Sequence, residues 1–179
     1  TYWMAVHRDN IEEAIVEEDL TDYREAARNR IKAWRKQALR GASGAKFSQD
    51  VKTVYNNTCL FTGNHLPKTD LTGPSGVDSA HILPWAEYAL NRVSNGICIN
   101  KLCHWAFDSG IIRLDFDNRR SEYILTISAN GLLAEKNGWI DLRAFHVIEG
   151  LIPRERLPKD EKDWPNPQFI AEYNKSVSL

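Results

Sequence analysis

The stretch from Val77 to Gly110 limits the folds open to this chain more than any other feature. "VDSAHIL" reads as a short strand stopped by Pro84, "NGICIN" as a turn and a second brief strand, and "NKLCHWAFDSG" as a short helix ending near Gly110. Strand, strand and helix in that order call for a mixed α+β fold. Upstream, "TCLFTG" reads as another short strand closed by Gly63, and "HLPKTDLTGPSG" as a loop. Downstream, "IIRLDF" and "EYILTIS" alternate around the polar turn "DNRRS", which predicts a hairpin. A proline-punctuated connector, "LPKDEKDWPNP", leads to a last helix from Pro167 to about Lys175.

The first 46 residues have a different character. Asp9, Glu12, Glu13, Glu17, Glu18, Asp19 and Asp22 form an acidic run, and Arg24, Arg28, Arg30, Lys32, Arg35, Lys36, Arg40 and Lys46 reverse the sign. Within the basic run, Tyr23, Ala27, Trp34 and Ala38 recur at helical spacing between a cap at Thr21 or Asp22 and a stop at Gly41. Such a stripe can be a solvated helix face or can track a phosphate backbone. "GASGA" at 41–45 reads as a flexible break before a helix starting at Ser48 and running to about Asn56. The expected division is a helical extension over 1–46 and a main domain over 47–179.

No apolar run approaches the roughly 18 residues that a membrane span needs, so no membrane association is expected. The start, "TYWMAVHRDN", has no signal-peptide pattern and no initial Met, so a trimmed tag or an excised fragment is the expectation. Three cysteines, Cys59, Cys98 and Cys103, are an odd number and read as reduced, buried thiols of a cytoplasmic protein. The net charge of -1 makes no global case for a nucleic-acid partner, although its uneven distribution leaves one open.

His81, Asn95 and His104 fall on the strand, loop and helix in turn, fourteen and then nine positions apart. With "TCLFTG", "SAHILPW", "SNGICINKLCHWAFDSGII" and the following hairpin, the chain resembles the HNH endonucleases, the ββα-metal group, and in particular their restriction-enzyme-like branch. The resemblance spans about residues 50–130. It implies a ββα-metal core of two short strands and a helix, here with an added β-hairpin and helices at both ends. It also implies a metal-dependent endonuclease acting on double-stranded DNA, as the cutting domain of a restriction or defence enzyme.

The chemistry explains the residue types. Phosphodiester hydrolysis needs an activated water, and a neutral imidazole with a pKa near 6.5 can take its proton at physiological pH. The resemblance gives that role to His81, and gives Asn95 the task of steadying the two strands and orienting the base. His104 completes the motif. His104 and Asp108 stand four apart on one helix face and can share a divalent ion acting as a Lewis acid, with magnesium expected and manganese or nickel as alternatives. Asp108 sits near the helix carboxyl end, where its charge is disfavoured, so it is either a ligand or a cap for the turn at Ser109 and Gly110.

The chain departs from the family in two places. Ala80 stands where many members carry a metal-binding Asp or His before the base; Asp78 is the substitute from the same strand face, or water and the DNA phosphate complete the set. The two CxxC pairs of related nucleases are halved, with Thr62 opposite Cys59 and Asn100 opposite Cys103. A structural zinc, which needs four good ligands, is therefore not expected. Trp85 and Trp105 are expected in the core, and His7, His65 and His146 lie outside the motif. Arg28, Lys32, Arg35 and Lys36 of the basic helix, with Arg113, Arg119 and Arg120 near the hairpin, are candidate phosphate contacts. The competing reading is a nucleic-acid-binding module that keeps the HNH fold without catalysis. A homodimer, which would turn nicks into double-strand breaks, is compatible with the sequence.

Overall fold

A computed structural model describes residue 41 and residues 43–177. From Ser43 onward the chain forms one compact unit. The acidic run and the basic helix with Arg28, Lys32, Arg35 and Lys36 lie outside the described residues.

The first described helix, α1, covers residues 43–54. The expected break at 41–45 and helix start at Ser48 are thus corrected, because Ser43, Gly44 and Ala45 are already helical. A single interior glycine costs a helix only about 1 kcal/mol, and here the buried Phe47 and Val51 anchor the element to the core.

Strand β1 (Val77–His81) pairs antiparallel with β2 (Gly96–Asn100), with His81 opposite Gly96 and Asp78 opposite Ile99. Between them lie a one-turn helix, α2 (Trp85–Tyr88), and a 3₁₀ turn over Val93–Asn95. β2 runs directly into α3 (Lys101–Asp108). Asn100 caps that helix by accepting the Cys103 N–H at 2.8 Å. Its other end closes on Gly110, whose φ is +66°, with Gly110 N–H bonded to Phe107 O and Ile111 N–H to Ala106 O. That pair of bonds is a Schellman ending.

A second sheet follows, built from β3 (Ile112–Asp117), β4 (Glu122–Ile127) and the two-residue β5 (Gly150–Leu151), all antiparallel. Helices α4 (Ala129–Lys136) and α5 (Arg143–His146) sit between β4 and β5. The last helix, α6 (Pro167–Val177), docks against α3 and β3: Tyr173 Oη donates to Phe107 O at 2.6 Å, and Asn174 Nδ2 to Leu114 O at 3.0 Å. The core runs through both sheets and includes Phe61, Ile82, Ile97, Ile99, Phe107, Leu114 and Leu125. No helix among the described residues is long and apolar enough to cross a membrane.

Two expectations fail locally. "TCLFTG" is a turn, with an isolated bridge from Thr58 to His65 in place of a strand. Cys59, Leu60 and Phe61 are buried in succession, which a strand with one solvated face does not allow, and Cys59 O accepts the Gly63 N–H at 2.8 Å to close the turn. Trp105, expected in the core, is 51% exposed. α3 buries Cys103, Ala106 and Phe107, and residue 105 falls on the far side of that face.

Candidate active site

β1 turns its two chemically interesting side chains toward different neighbours. His81 lies against α1, its ring stacked on Phe47 with centroids 3.9 Å apart and planes 11° from parallel. Its Nε2 is 2.9 Å from Asn91 Oδ1, in the loop after α2. Opposite His81, Gly96 leaves room for Phe47 and Val51: a Cβ there would stand 2.5 Å from Val51 and 2.8 Å from Phe47. The small residue therefore admits the ring that supports the histidine.

Asn95 is fully buried, and its amide is spent on backbone. Oδ1 accepts the Leu83 N–H at 2.9 Å, while Nδ2 donates to Leu83 O at 3.2 Å and Leu90 O at 3.0 Å. It fastens the chain leaving β1 to the chain entering β2. An amide that does lie at hydrogen-bond distance from the His81 ring is that of Asn91.

Asp78 meets α3. Its carboxylate lies 3.3 Å from His104 Nδ1 and 3.3 Å from Lys101 Nζ, and Asp108 Oδ2 lies 3.2 Å from the other ring nitrogen, Nε2. His104 thus stands between two carboxylates. Asp108 raises its pKa above the ordinary histidine value, burial opposes this, and Asp78 adds to the rise. For Asp78 burial pushes upward, but the bonds from His104 and Lys101 prevail and hold the carboxyl below the usual range. Asp108, the residue that sequence left between ligand and cap, turns back to His104, while backbone bonds close the turn.

HNH endonucleases generally use a divalent metal ion, so the donors can be tested for fit. Adjacent ligands on an octahedral ion with bonds of about 2.1 Å stand roughly 3 Å apart. His104 Nε2 and Asp108 Oδ2, at 3.2 Å, match two such positions. Asp78 faces the opposite nitrogen, in the place from which a carboxylate orients a ligating histidine. Among the described residues no group of three His, Cys, Asp or Glu is arranged to hold a metal ion. Among the described residues, His104 Nε2 and Asp108 Oδ2 are the pair whose spacing fits such an ion.

Cys59, Thr62, Asn100 and Cys103, the four positions of the halved pairs, come together. The Cys59 sulfur accepts the Asn100 N–H at 3.3 Å. Bonds from Cys103 first, and then from Thr62 and Asn100, pull its thiol below the ordinary cysteine value against the effect of burial. A hydrogen-bonded cluster thus ties the 58–65 turn to β2 and α3.

Of the arginines, Arg119 is exposed in the β3–β4 turn, and Arg113 is half-buried with Nη2 3.6 Å from Asp115. The site residues missed in the sequence are Asn91, Phe47 and Lys101. Phe47 had a signal, since 47 and 51 repeat at helical spacing, whereas Asn91 stands in a loop without periodicity.

Residues 59–115 match the HNH endonuclease family HNH_2. This span holds Asp78, His81, Asn91, Asn95, His104 and Asp108. Among solved structures, one described as a modification-dependent TagI restriction endonuclease is similar with a TM-score of 0.50 and 19% identity. The likeness covers 75% of this chain and 38% of that one, and it is a likeness of fold. No curated protein matches the sequence. With the two-stranded ribbon and the helix that follows it inside the matched span, the segment from Cys59 to Asp115 is similar to the HNH endonuclease family in sequence and has a ββα arrangement.

Proposed function

We propose that the chain is a divalent-metal-dependent endonuclease that hydrolyses double-stranded DNA in the cytoplasm, as the cutting part of a restriction or defence enzyme. The observation that carries the reading is the division of labour along β1, with an oriented imidazole at His81 and a carboxylate–histidine–carboxylate array at Asp78, His104 and Asp108. His81 takes a proton from the attacking water as its oxygen bonds to phosphorus, and the bond to the departing sugar oxygen breaks, the electron pair leaving on that oxygen, which takes a proton from solvent water. Asn95 keeps the β1 exit and the β2 entry in register, so that His81 is held at the strand end. His104 Nε2 and Asp108 hold the ion, preferably magnesium, with manganese or nickel able to replace it; Asp78 orients His104. When bound, the ion supplies Lewis-acid neutralisation of phosphoryl charge. Arg119 and the basic residues Arg28, Lys32, Arg35 and Lys36 grip the DNA backbone.

The test is supercoiled plasmid incubated with magnesium, manganese, nickel or a chelator, using the parent and His81→Ala. The reading expects metal-dependent nicking or cutting that the variant loses. Equal cleavage by both proteins contradicts the role of His81. Tight binding by the parent without cleavage under any metal favours the non-catalytic module.

A further inference from the structure

The family pattern puts an asparagine at position 95, but the amide that meets the proposed base is at position 91. Asn91 Oδ1 lies 2.9 Å from His81 Nε2, and its Nδ2 is turned to the Ser43 hydroxyl on α1. With the amide nitrogen committed to Ser43, the oxygen faces the ring, and a carbonyl oxygen only accepts. Nε2 is then the protonated nitrogen, and the lone pair is on Nδ1. Phe47 adds the second constraint by stacking on the same ring from α1. Ser43 and Phe47 both precede the matched 59–115 segment, so the helix before the HNH domain supplies part of the support.

We infer that Asn91 is a positioning residue of the nuclease reaction, holding His81 as the Nε2–H tautomer so that Nδ1 takes the proton from water. This rests on His81 being the general base. Asn91 touches neither water nor phosphate; it acts through the imidazole. An acceptor fixed on the far nitrogen also favours the imidazolium that forms during the step, since the N–H that it accepts becomes more acidic.

The experiment uses the full chain in three variants, Asn91→Leu, Asn91→Asp and His81→Ala. Leucine keeps the branched shape, with somewhat larger tips, and removes the acceptor; aspartate keeps an acceptor oxygen. Single-turnover cleavage of duplex DNA with magnesium gives the maximal rate and the half-saturating DNA concentration separately. Asn91→Leu is expected to lower the rate roughly 10- to 100-fold, as loss of an outer-shell partner commonly does, with half-saturation unchanged. Asn91→Asp is expected to recover most of that loss. Nitrogen NMR of the parent, with the His81 signals assigned by their absence in His81→Ala, is expected to show Nε2 protonated in the neutral ring. A rate in Asn91→Leu equal to the parent, an equal loss in Asn91→Asp, or an Nδ1–H ring in the parent each overturns the inference. Cleavage unchanged in His81→Ala overturns the general-base reading and this inference with it. Cleavage lost in His81→Ala but kept in Asn91→Leu overturns this inference alone.

Discussion

At Gly96 one methyl group decides whether α1 can reach the ribbon. Its φ of −124° is ordinary extended backbone, so the requirement for glycine is one of space. Gly96→Ala is expected to destabilise the protein by about 1–3 kcal/mol, as overpacking does, and to disturb the Phe47 stack on His81; urea unfolding measures the first. Asn95→Ala removes three hydrogen bonds to backbone, two of them to buried Leu83 and one to part-buried Leu90. The unmet Leu83 and Leu90 groups are expected to lower stability by about 1–3 kcal/mol each at most, seen as a lower midpoint with an unchanged slope. Sequence could place Asn95 and His81, because motif order and spacing carry them. It could not assign the orienting contact to Asn91, because that pairing depends on how a loop without periodicity folds back over a helix far earlier in the chain.

Among the elements, those with a short-range signal were legible. The pairs β1–β2 and β3–β4, helix α3 and helix α6 follow from apolar patterning with glycine and proline stops. α4 was not legible: "SANG" resembles a turn, yet Ser128 caps the helix by accepting the Gly131 N–H at 3.0 Å. Gly131 is buried, and a Cβ there would stand 2.8 Å from Ile111 O, so tertiary contact decides what local sequence leaves ambiguous. The docking of the C-terminal segment gives a pH prediction. Burial pushes the phenols of Tyr123 and Tyr173 up to about 12, and they donate to Pro165 O and Phe107 O. Because the folded values lie above the unfolded value near 10, this stabilisation is fully present below pH 10 and is lost as pH rises toward 12. Absorbance of the tyrosinate at alkaline pH, recorded with circular dichroism, is expected to show ionisation of these two residues coinciding with loss of helix. Their titration near pH 10 with the fold intact would contradict the burial.

At the scale of the whole molecule, an almost neutral chain must concentrate its positive charge to hold DNA. Under the proposed function, the basic run provides that concentration. Replacing Arg28, Lys32, Arg35 and Lys36 with Gln is expected to weaken duplex binding and to reduce the slope of log affinity against log salt by roughly 3–4, near 0.9 for each phosphate that is no longer neutralised. An unchanged slope, read by fluorescence anisotropy across salt concentrations, would leave those residues on a solvated face. The central claim is that the imidazole on β1 removes the proton from the attacking water, and single-turnover cleavage of duplex DNA at saturating magnesium tests it most directly. His81→Ala is expected to cut that rate by roughly 10²–10⁴ while circular dichroism and DNA affinity stay at the parent's values. A rate within threefold of the parent, in a folded variant that binds DNA equally well, would contradict it.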